Sequence, residues 1–329
     1  MRIVRTYALD SLESYAIEEV AKPEPGAGEV RIQVAACGVG YVEALQALGR
    51  YQVKPPLPYT PGTELAGVVD AVGSGVAGLK LGARVMARGT GAFAEFVVVD
   101  AVDAAPTPAN LSFEQAAGVR SNYETVMHAF IDRAELQPGQ QVLVFGAAGG
   151  TGVAAVQVAR AMGARVIAAS SSEAKRAFAL AQGAHAVIDT EPEGWRDRLK
   201  VAADGAGVDV IFDPVCGPLF DPAFRSLAWC GRHLVVGFVG GPIPALKSNL
   251  TLLKGAALVG VDLRQFLLFE PEKAAANFAA LQQWLADGRL VPPVGRVFAF
   301  EDFREALDHA FGGTGIGKTV IRVADLAPV

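Results

Sequence analysis

The stretch VLVFGAAGGTGVAAVQVARAMGARVIAASSS, Val142 to Ser172, decides the fold. It reads as a strand, a glycine turn, a helix and a second strand. VLVF is a short apolar run of the kind a parallel strand buries on both faces. Gly146, Gly149 and Gly152 recur every third residue. Gly149 and Gly150 would let the backbone approach a pyrophosphate, and Gly152 would let the helix pack closely on the strand. A helix from about Gly152 to Met162 would aim its free N–H groups and positive dipole end at that anion. Gly163 stops the helix, and ARVIAA is the second strand. A lone glycine triplet is weak evidence, but one set in strand–turn–helix–strand is strong. Thr151 and Val153 complete the expected pyrophosphate site.

In this motif an acid at the end of the second strand usually bonds the adenosine ribose of NAD. Here that strand ends in Ser170, Ser171 and Ser172, with Lys175 and Arg176 within one turn. Hydroxyls and cations suit a 2′-phosphate, so the expected cofactor is NADPH. Glu173 lies close by and points the other way. Ser171 and Ser172 could instead simply cap a helix beginning near Glu173, with both cations solvated. The two roles are compatible.

The 329 residues are enough for two domains with separate cores. A net charge of −5 with no basic run argues against a nucleic-acid or membrane surface. There is no unbroken apolar span long enough to cross a bilayer. MRIVRTYALDSLESY does not read as a signal peptide, because it lacks a continuous apolar segment. Cys37, Cys216 and Cys230 are widely spaced and form no disulfide framework or CxxC pair. A reduced, cytoplasmic protein is the expectation.

Residues 1 to about 120 read as β-rich: EVRIQVAACGV, ELAGVVDAVG, ARVMARG and AFAEFVVVD are short strands between Gly and Pro turns. Helical pattern returns at Phe113–Ala117 and Tyr123–Arg133. From Gln141, strands (VLVF, ARVIAA, HAVID, VDVIFDPV, RHLVVGF, AALVGVDL) alternate with helices, which predicts a doubly wound parallel sheet in an α/β protein. A helix at Pro271–Asp287, a strand VGRVFAF, a helix Phe303–Phe311 and a strand KTVIRV follow. These last elements are expected to rejoin the first domain. The predicted domains are therefore 1–122 with 265–329, β-rich, and 123–264, dinucleotide-binding.

PGTELAGVVDAVGSGV followed by GAAGGTGV resembles the medium-chain dehydrogenase/reductase superfamily, a GroES-like catalytic domain joined to a Rossmann domain. Within it the chain is similar to the zinc-independent quinone oxidoreductases, the zeta-crystallin group. The supporting segments are Ala36–Leu45, Tyr59–Val69, Leu111–Phe130, the glycine turn and Asp213–Phe238, and the resemblance runs essentially end to end. Zinc enzymes of the superfamily carry Cys where Gly40 stands and His where Thr63 stands. The four-cysteine structural lobe is missing too. His128, His185, His233 and His309 share no metal-ligand spacing. Glu64, which remains from the motif, reads as a supporting carboxylate. No metal is expected. Without a Lewis acid to polarise a carbonyl, an already electrophilic acceptor is favoured, such as a quinone or an α,β-unsaturated carbonyl.

The resemblance implies the site residues. Position 40, commonly Asn in the group, faces the nicotinamide, and Gly40 loses that hydrogen bond. Tyr41 could shape the same pocket. Tyr51 matches a cleft tyrosine able to donate to the reduced oxygen, or it is only a packed aromatic. A second cleft tyrosine is absent at Leu45, and a cleft arginine at Val261; Arg264 is near but does not match. Thr125 matches a threonine at the nicotinamide end. Asn122 and Tyr123 precede it at the hinge where the acceptor should sit. Asn122 either replaces the lost amide or caps the following helix. Asp213, Pro214, Val215, Gly237, Phe238 and Val239 close two strands and are expected to hold the ribose and nicotinamide. Cys216, where Gly is common, reads as a small buried residue.

The expected function is NADPH-dependent hydride transfer to quinones without a metal. One hydride geometry also serves activated C=C bonds in enones, alkenals or acrylate-like acids. A third reading, of another class, is a zeta-crystallin-like structural or RNA-binding protein, and the acidic pI of about 5.5 argues against RNA. A homodimer is expected through the edge strand AALVGVDL, Ala256–Leu263.

Overall fold

The computed structural model describes residues 1–326. The chain divides into two units, Met1–Ser121 with the segment from Val291 onward, and Asn122–Leu290. In chain order the first unit holds β1 (Arg2–Arg5), β2 (Ala16–Glu19), β3 (Glu29–Val39), α1 (Tyr41–Ala47), β4 (Glu64–Val72), β5 (Arg84–Arg88), β6 (Phe96–Asp100), β7 (Ala104–Pro106) and α2 (Phe113–Ala116). The second unit begins with α3 (Asn122–Met127), β8 (Gln141–Phe145), α4 (Gly150–Ala161), β9 (Arg165–Ala169), α5 (Glu173–Ala181), β10 (Ala186–Ile188) and α6 (Trp195–Ala202). It continues with β11 (Val208–Asp213), α7 (Phe220–Phe224), β12 (Leu227–Val235), α8 (Asn249–Lys254), β13 (Ala257–Gly260), α9 (Leu263–Phe269) and α10 (Pro271–Ala286). The chain then returns to the first unit with β14 (Val294–Ala299), α11 (Phe303–Gly312) and β15 (Lys318–Arg322).

The second unit is a six-stranded, wholly parallel sheet in the order β10-β9-β8-β11-β12-β13. Counted from β8 this is the doubly wound order 3-2-1-4-5-6 of dinucleotide-binding folds. Its central strands are apolar runs because both faces are covered: Val142, Leu143, Val144, Val210, Ile211 and Phe212 are fully buried. The order reverses between β8 and β11, so the crevice at their carboxyl ends is where such a sheet binds a ligand.

The first unit is a seven-stranded sheet built around β3, which pairs antiparallel with β4, β6 and β15, while β14 runs parallel to β15. Val30, Ile32, Val34, Leu65, Phe93, Phe300 and Ile321 pack its core. This GroES-like unit and the Rossmann unit together make a mixed α/β fold.

Three expectations are corrected. The helix after the glycine turn starts at Gly150, two residues before Gly152. The predicted helix 123–133 changes character midway: after α3 the segment His128–Arg133 is a π-helical turn, closed by the Ala134 N–H on the Ala129 carbonyl five residues back, at 2.8 Å. The second boundary falls at 290/291, where 264/265 was expected. α10 buries Leu281 and Leu285, packs against α3, and places Asn277 Nδ2 2.7 Å from Asp132 Oδ2. An amphipathic helix carries no sign in its own sequence of which core it covers, whereas β14 and β15 do rejoin the first unit as expected.

Candidate functional site

The glycine turn leaves β8 with Gly146 at φ +59°, a left-handed conformation that favours glycine. A methyl group at Gly152 would lie 2.1 Å from the Gly146 carbonyl oxygen, so only glycine lets α4 start so close to the strand. Gly149 differs. A methyl there would meet nothing closer than 3.5 Å, so the protein itself does not demand a bare backbone at that point. Gly149 caps α4 with no side-chain hydrogen bond, which leaves the helix's first N–H groups for another acceptor. The Thr151 hydroxyl donates to Asn122 Oδ1 at 2.9 Å. Asn122 is itself the first residue of α3 and is buried. Its amide oxygen therefore ties α3 to the glycine turn, a role the sequence did not suggest.

Two further turns join this one at the sheet's carboxyl edge. A methyl at Gly146 would stand 3.5 Å from Val215 Cγ2 and 3.7 Å from Pro214 Cγ. The turn after β11 is laced to the segment after β12: the N–H groups of Val236, Val239 and Gly240 donate to the carbonyls of Asp213, Pro214 and Val215, at 3.0, 3.4 and 2.8 Å. Val215, Gly237, Phe238 and Val239, all proposed from sequence, thus lie on one continuous ledge beside the glycine turn. Phe238 and Val239 are each 45% exposed. Asp213 is buried; its Oδ1 accepts the N–H groups of Val215 and Cys216 at 2.9 and 2.7 Å, and its Oδ2 lies 2.9 Å from His233 Nε2. Cys216 is buried as expected, but at φ +47°, and burial pushes its thiol up to about 12.

At the end of β9, Ser172 caps α5 by accepting the Lys175 N–H at 3.3 Å. Ser170 is buried, and its Oγ makes no hydrogen bond among the described residues. Arg176 Nη1 donates to the carbonyls of Ser170 and Ser171 at 3.0 and 3.3 Å. Its guanidinium has no carboxylate partner among the described residues. Lys175 is half-buried on the same turn.

The first unit holds the remaining positions. Tyr41 opens α1 and stacks on Phe311 of α11, ring centroids 5.5 Å apart and planes parallel within 1°. Tyr51 lies in the loop after α1, its N–H bonded to the Leu45 carbonyl. Its hydroxyl makes no hydrogen bond among the described residues. Thr125 is half-buried on α3, in the other unit.

Beside Gly40 and Thr63 the sequence reading missed a buried ionic cluster. Thr63 Oγ1 donates to Glu43 Oε1, and the Gly40 N–H donates to Glu43 Oε2 at 2.9 Å. Glu64 Oε1 is 2.6 Å from Lys318 Nζ, and Glu64 Oε2 accepts the Ser121 N–H at 2.9 Å. Burial works against the Lys318 charge, yet Glu64 and Glu43 carry the ammonium above its ordinary value. Glu64 is thus the supporting carboxylate that was expected. The missed signals were Glu43 three residues after Gly40, a capping-box spacing, and a lone Lys opening an apolar strand. Among the described residues no three His, Cys, Asp or Glu side chains gather as a metal site. Nor is any helix there long and apolar enough to cross a membrane.

The fold and the glycine turn define a two-domain, dinucleotide-dependent oxidoreductase. Residues 26–109 match the family described as Alcohol dehydrogenase GroES-like domain, and residues 150–280 that described as Zinc-binding dehydrogenase. Quinone oxidoreductase-like protein 2 of Mus musculus is 37% identical over 307 residues, spanning 93% of this chain and 88% of its own. Quinone oxidoreductase of Rattus norvegicus is 33% identical over 325 residues, 98% of this chain and 97% of its own. The structure of the quinone oxidoreductase from Thermus thermophilus, solved alone and in complex with NADPH, superposes with a TM-score of 0.85 at 32% identity, covering 98% of this chain and 100% of that one. The chain belongs to the medium-chain dehydrogenase/reductase superfamily, in its quinone oxidoreductase group.

Proposed function

We propose that the protein reduces quinones with NADPH and without a metal. The observation that carries the cofactor choice is the end of β9. The strand itself ends in serines with no carboxylate, the nearest acid being Glu173 at the start of α5, while an unpaired buried Ser170 Oγ, Ser171, Lys175 and the carboxylate-free Arg176 gather over residues 170–176. Gly149, Gly150, Thr151, Gly152 and Val153 would hold the pyrophosphate on the amino end of α4. The ledge of Val215, Gly237, Phe238 and Val239 would receive the nicotinamide half, with Thr125 and Asn122 on α3. When bound, NADPH supplies the hydride.

Zinc independence rests on the donor set. Gly40 and Thr63 offer no thiolate or imidazole, and Glu64 is already engaged by Lys318 and the Ser121 N–H. With no metal to polarise a carbonyl, the acceptor must be electrophilic in its own right. Quinones meet that need, and so do enones and other activated alkenes, which remain the second reading. Tyr51 and Tyr41 are the candidate side chains on the acceptor's side, and Tyr51, whose ring is not stacked as Tyr41's is on Phe311, is the better candidate hydrogen-bond donor. The chain's contribution is then positioning and exclusion of water rather than acid–base chemistry.

The open edge of β13 is the proposed dimer surface. β13 pairs with β12 on one side and with no other strand among the described residues. Its residues Ala257, Leu258, Val259 and Gly260 carry no charge to guard the edge, and Arg133 takes only the last carbonyl, Gly260 O. Pairing with a second copy about a two-fold axis satisfies it.

The test is steady-state turnover of metal-stripped protein against a panel of quinones and enones. Quinone reduction that survives exhaustive chelation supports the reading. Activity that disappears with a stoichiometric zinc, or turnover confined to activated alkenes, contradicts it.

A further inference from the structure

Asp213 and His233 sit on adjacent parallel strands, β11 and β12, where Asp213 is in register with Val235 and His233 lies two residues earlier. Both side chains are buried, at 2% and 0% exposure. Because Nε2 of His233 faces a carboxylate oxygen at 2.9 Å, that nitrogen carries the proton. Nδ1 makes no hydrogen bond among the described residues, so the ring is held from one end only. Phe220 and Phe224 pack against the ring, with centroids at 4.6 and 6.2 Å and planes inclined by 42° and 21°. Three donors therefore converge on one buried carboxylate: one imidazole N–H and the backbone N–H groups of Val215 and Cys216. An imidazole inside a parallel strand is out of place as a packing residue, where Val, Ile or Leu fills the space without a polar atom to satisfy.

The cost shows at Cys216. A residue with a side chain is held at φ +47°, a region where glycine is at ease and other residues are strained. The two N–H groups of this turn that bond Asp213 Oδ1 belong to Val215 and Cys216 itself, and the other oxygen of that carboxylate faces His233.

We propose that Asp213 and His233 form a buried positioning pair that presets the 214–216 turn for the nicotinamide half of the cofactor, although His233 touches neither cofactor nor acceptor. The inference rests on the reading of that ledge given under Proposed function. It assigns a role in hydride transfer to a histidine outside the cofactor-contacting residues. Any substitution at position 233 that keeps a donor at the Nε2 position should keep the turn. One that removes the donor should release the turn while leaving the glycine turn and the end of β9 untouched.

The experiment compares His233→Leu, which removes the donor at similar volume, with His233→Gln, whose amide can place an N–H at the same point. Binding of 2′,5′-ADP, which lacks the nicotinamide half, is measured beside binding of NADPH and turnover. For His233→Leu the expectation is 2′,5′-ADP affinity within twofold of the wild type, NADPH affinity several-fold weaker, and kcat lower by tenfold or more. His233→Gln should recover most of both losses. Equal losses for the two ligands, or unchanged kcat and NADPH affinity in a folded His233→Leu variant, would overturn the proposal. Should that variant not fold, amide hydrogen exchange of the wild-type protein decides. A preset turn is protected at Val215 and Cys216 before any cofactor is added, and protection that arises only with NADPH would overturn it. A wild-type protein that binds neither NADPH nor 2′,5′-ADP would instead count against the cofactor reading, so the two failures are separable.

Discussion

At the residue scale, Gly149 and Gly152 stand three positions apart in one turn and serve different ends. A methyl at Gly152 meets the Gly146 carbonyl at 2.1 Å, and a backbone atom cannot step aside cheaply. Overpacking of this kind costs about 1–3 kcal/mol and sometimes more. Gly152→Ala should therefore lower the unfolding midpoint by several degrees. A methyl at Gly149 meets only an ordinary contact at 3.5 Å, so Gly149→Ala should keep its stability within about 0.5 kcal/mol of wild type yet weaken dinucleotide binding at least tenfold. Thermal and chemical denaturation beside a binding titration read both. Equal destabilisation by the two substitutions would show that Gly149 is structural. The sequence separates these two glycines because spacing along a known turn predicts backbone geometry. It could not foresee that Asn122 accepts the Thr151 hydroxyl, since the two are 29 residues apart and the bond exists only once α3 and α4 are packed.

At the scale of elements, strands were legible and certain helices were not. β3 is the segment EVRIQVAACGV as read, because an apolar run bounded by Gly-rich turns has few other fates. α3 looked like one long helix, but the chain slips into a π-helical turn that carries His128 against Asp132 at 3.0 Å and under the Phe266 ring at 3.9 Å. Periodicity does not register one extra residue in a turn. The ionic pair Glu64–Lys318 was equally hidden, since its members come from strands far apart in the chain. The π-helical turn has a measurable consequence. Burial, the largest influence, lowers the His128 value despite Asp132 beside it, and burial with Arg160 and Arg165 lowers that of His185. Their folded values lie below the unfolded value of about 6.5. Their contribution to stability is thus full above that pH and is lost as pH falls from there through the folded values. The melting temperature should fall between pH 7.5 and 5.5, above the range where carboxylates titrate. His128→Gln should flatten part of that fall; an unchanged slope would remove His128 as a source.

At the scale of the whole molecule, the two-unit architecture was readable from composition and the order of elements, with one boundary misplaced because α10 belongs to the core that α3 helps to form. The same scale carries the proposed dimer. An unguarded parallel edge with Leu258 41% exposed, near a chain segment bearing Leu252 and Leu253 at 81% and 70%, is apolar surface that a monomer leaves in water. Sedimentation at micromolar concentration should give a dimer, and Leu258→Lys should shift it toward monomer. A wild-type monomer would contradict the edge pairing. The central claim is sharper still: an NADPH-dependent, metal-free quinone reductase whose cofactor choice is made at the end of β9. A charge-assisted contact to the 2′-phosphate is worth about 1.5–3 kcal/mol, or roughly tenfold to a hundredfold in affinity. The most direct measurement is the ratio of kcat/KM for NADPH over NADH, with one quinone, in chelated wild-type protein and in Lys175→Ala. The account predicts a wild-type ratio well above one that falls at least tenfold in the variant, through KM for NADPH. A wild-type preference for NADH, or equal losses with both cofactors, would contradict it.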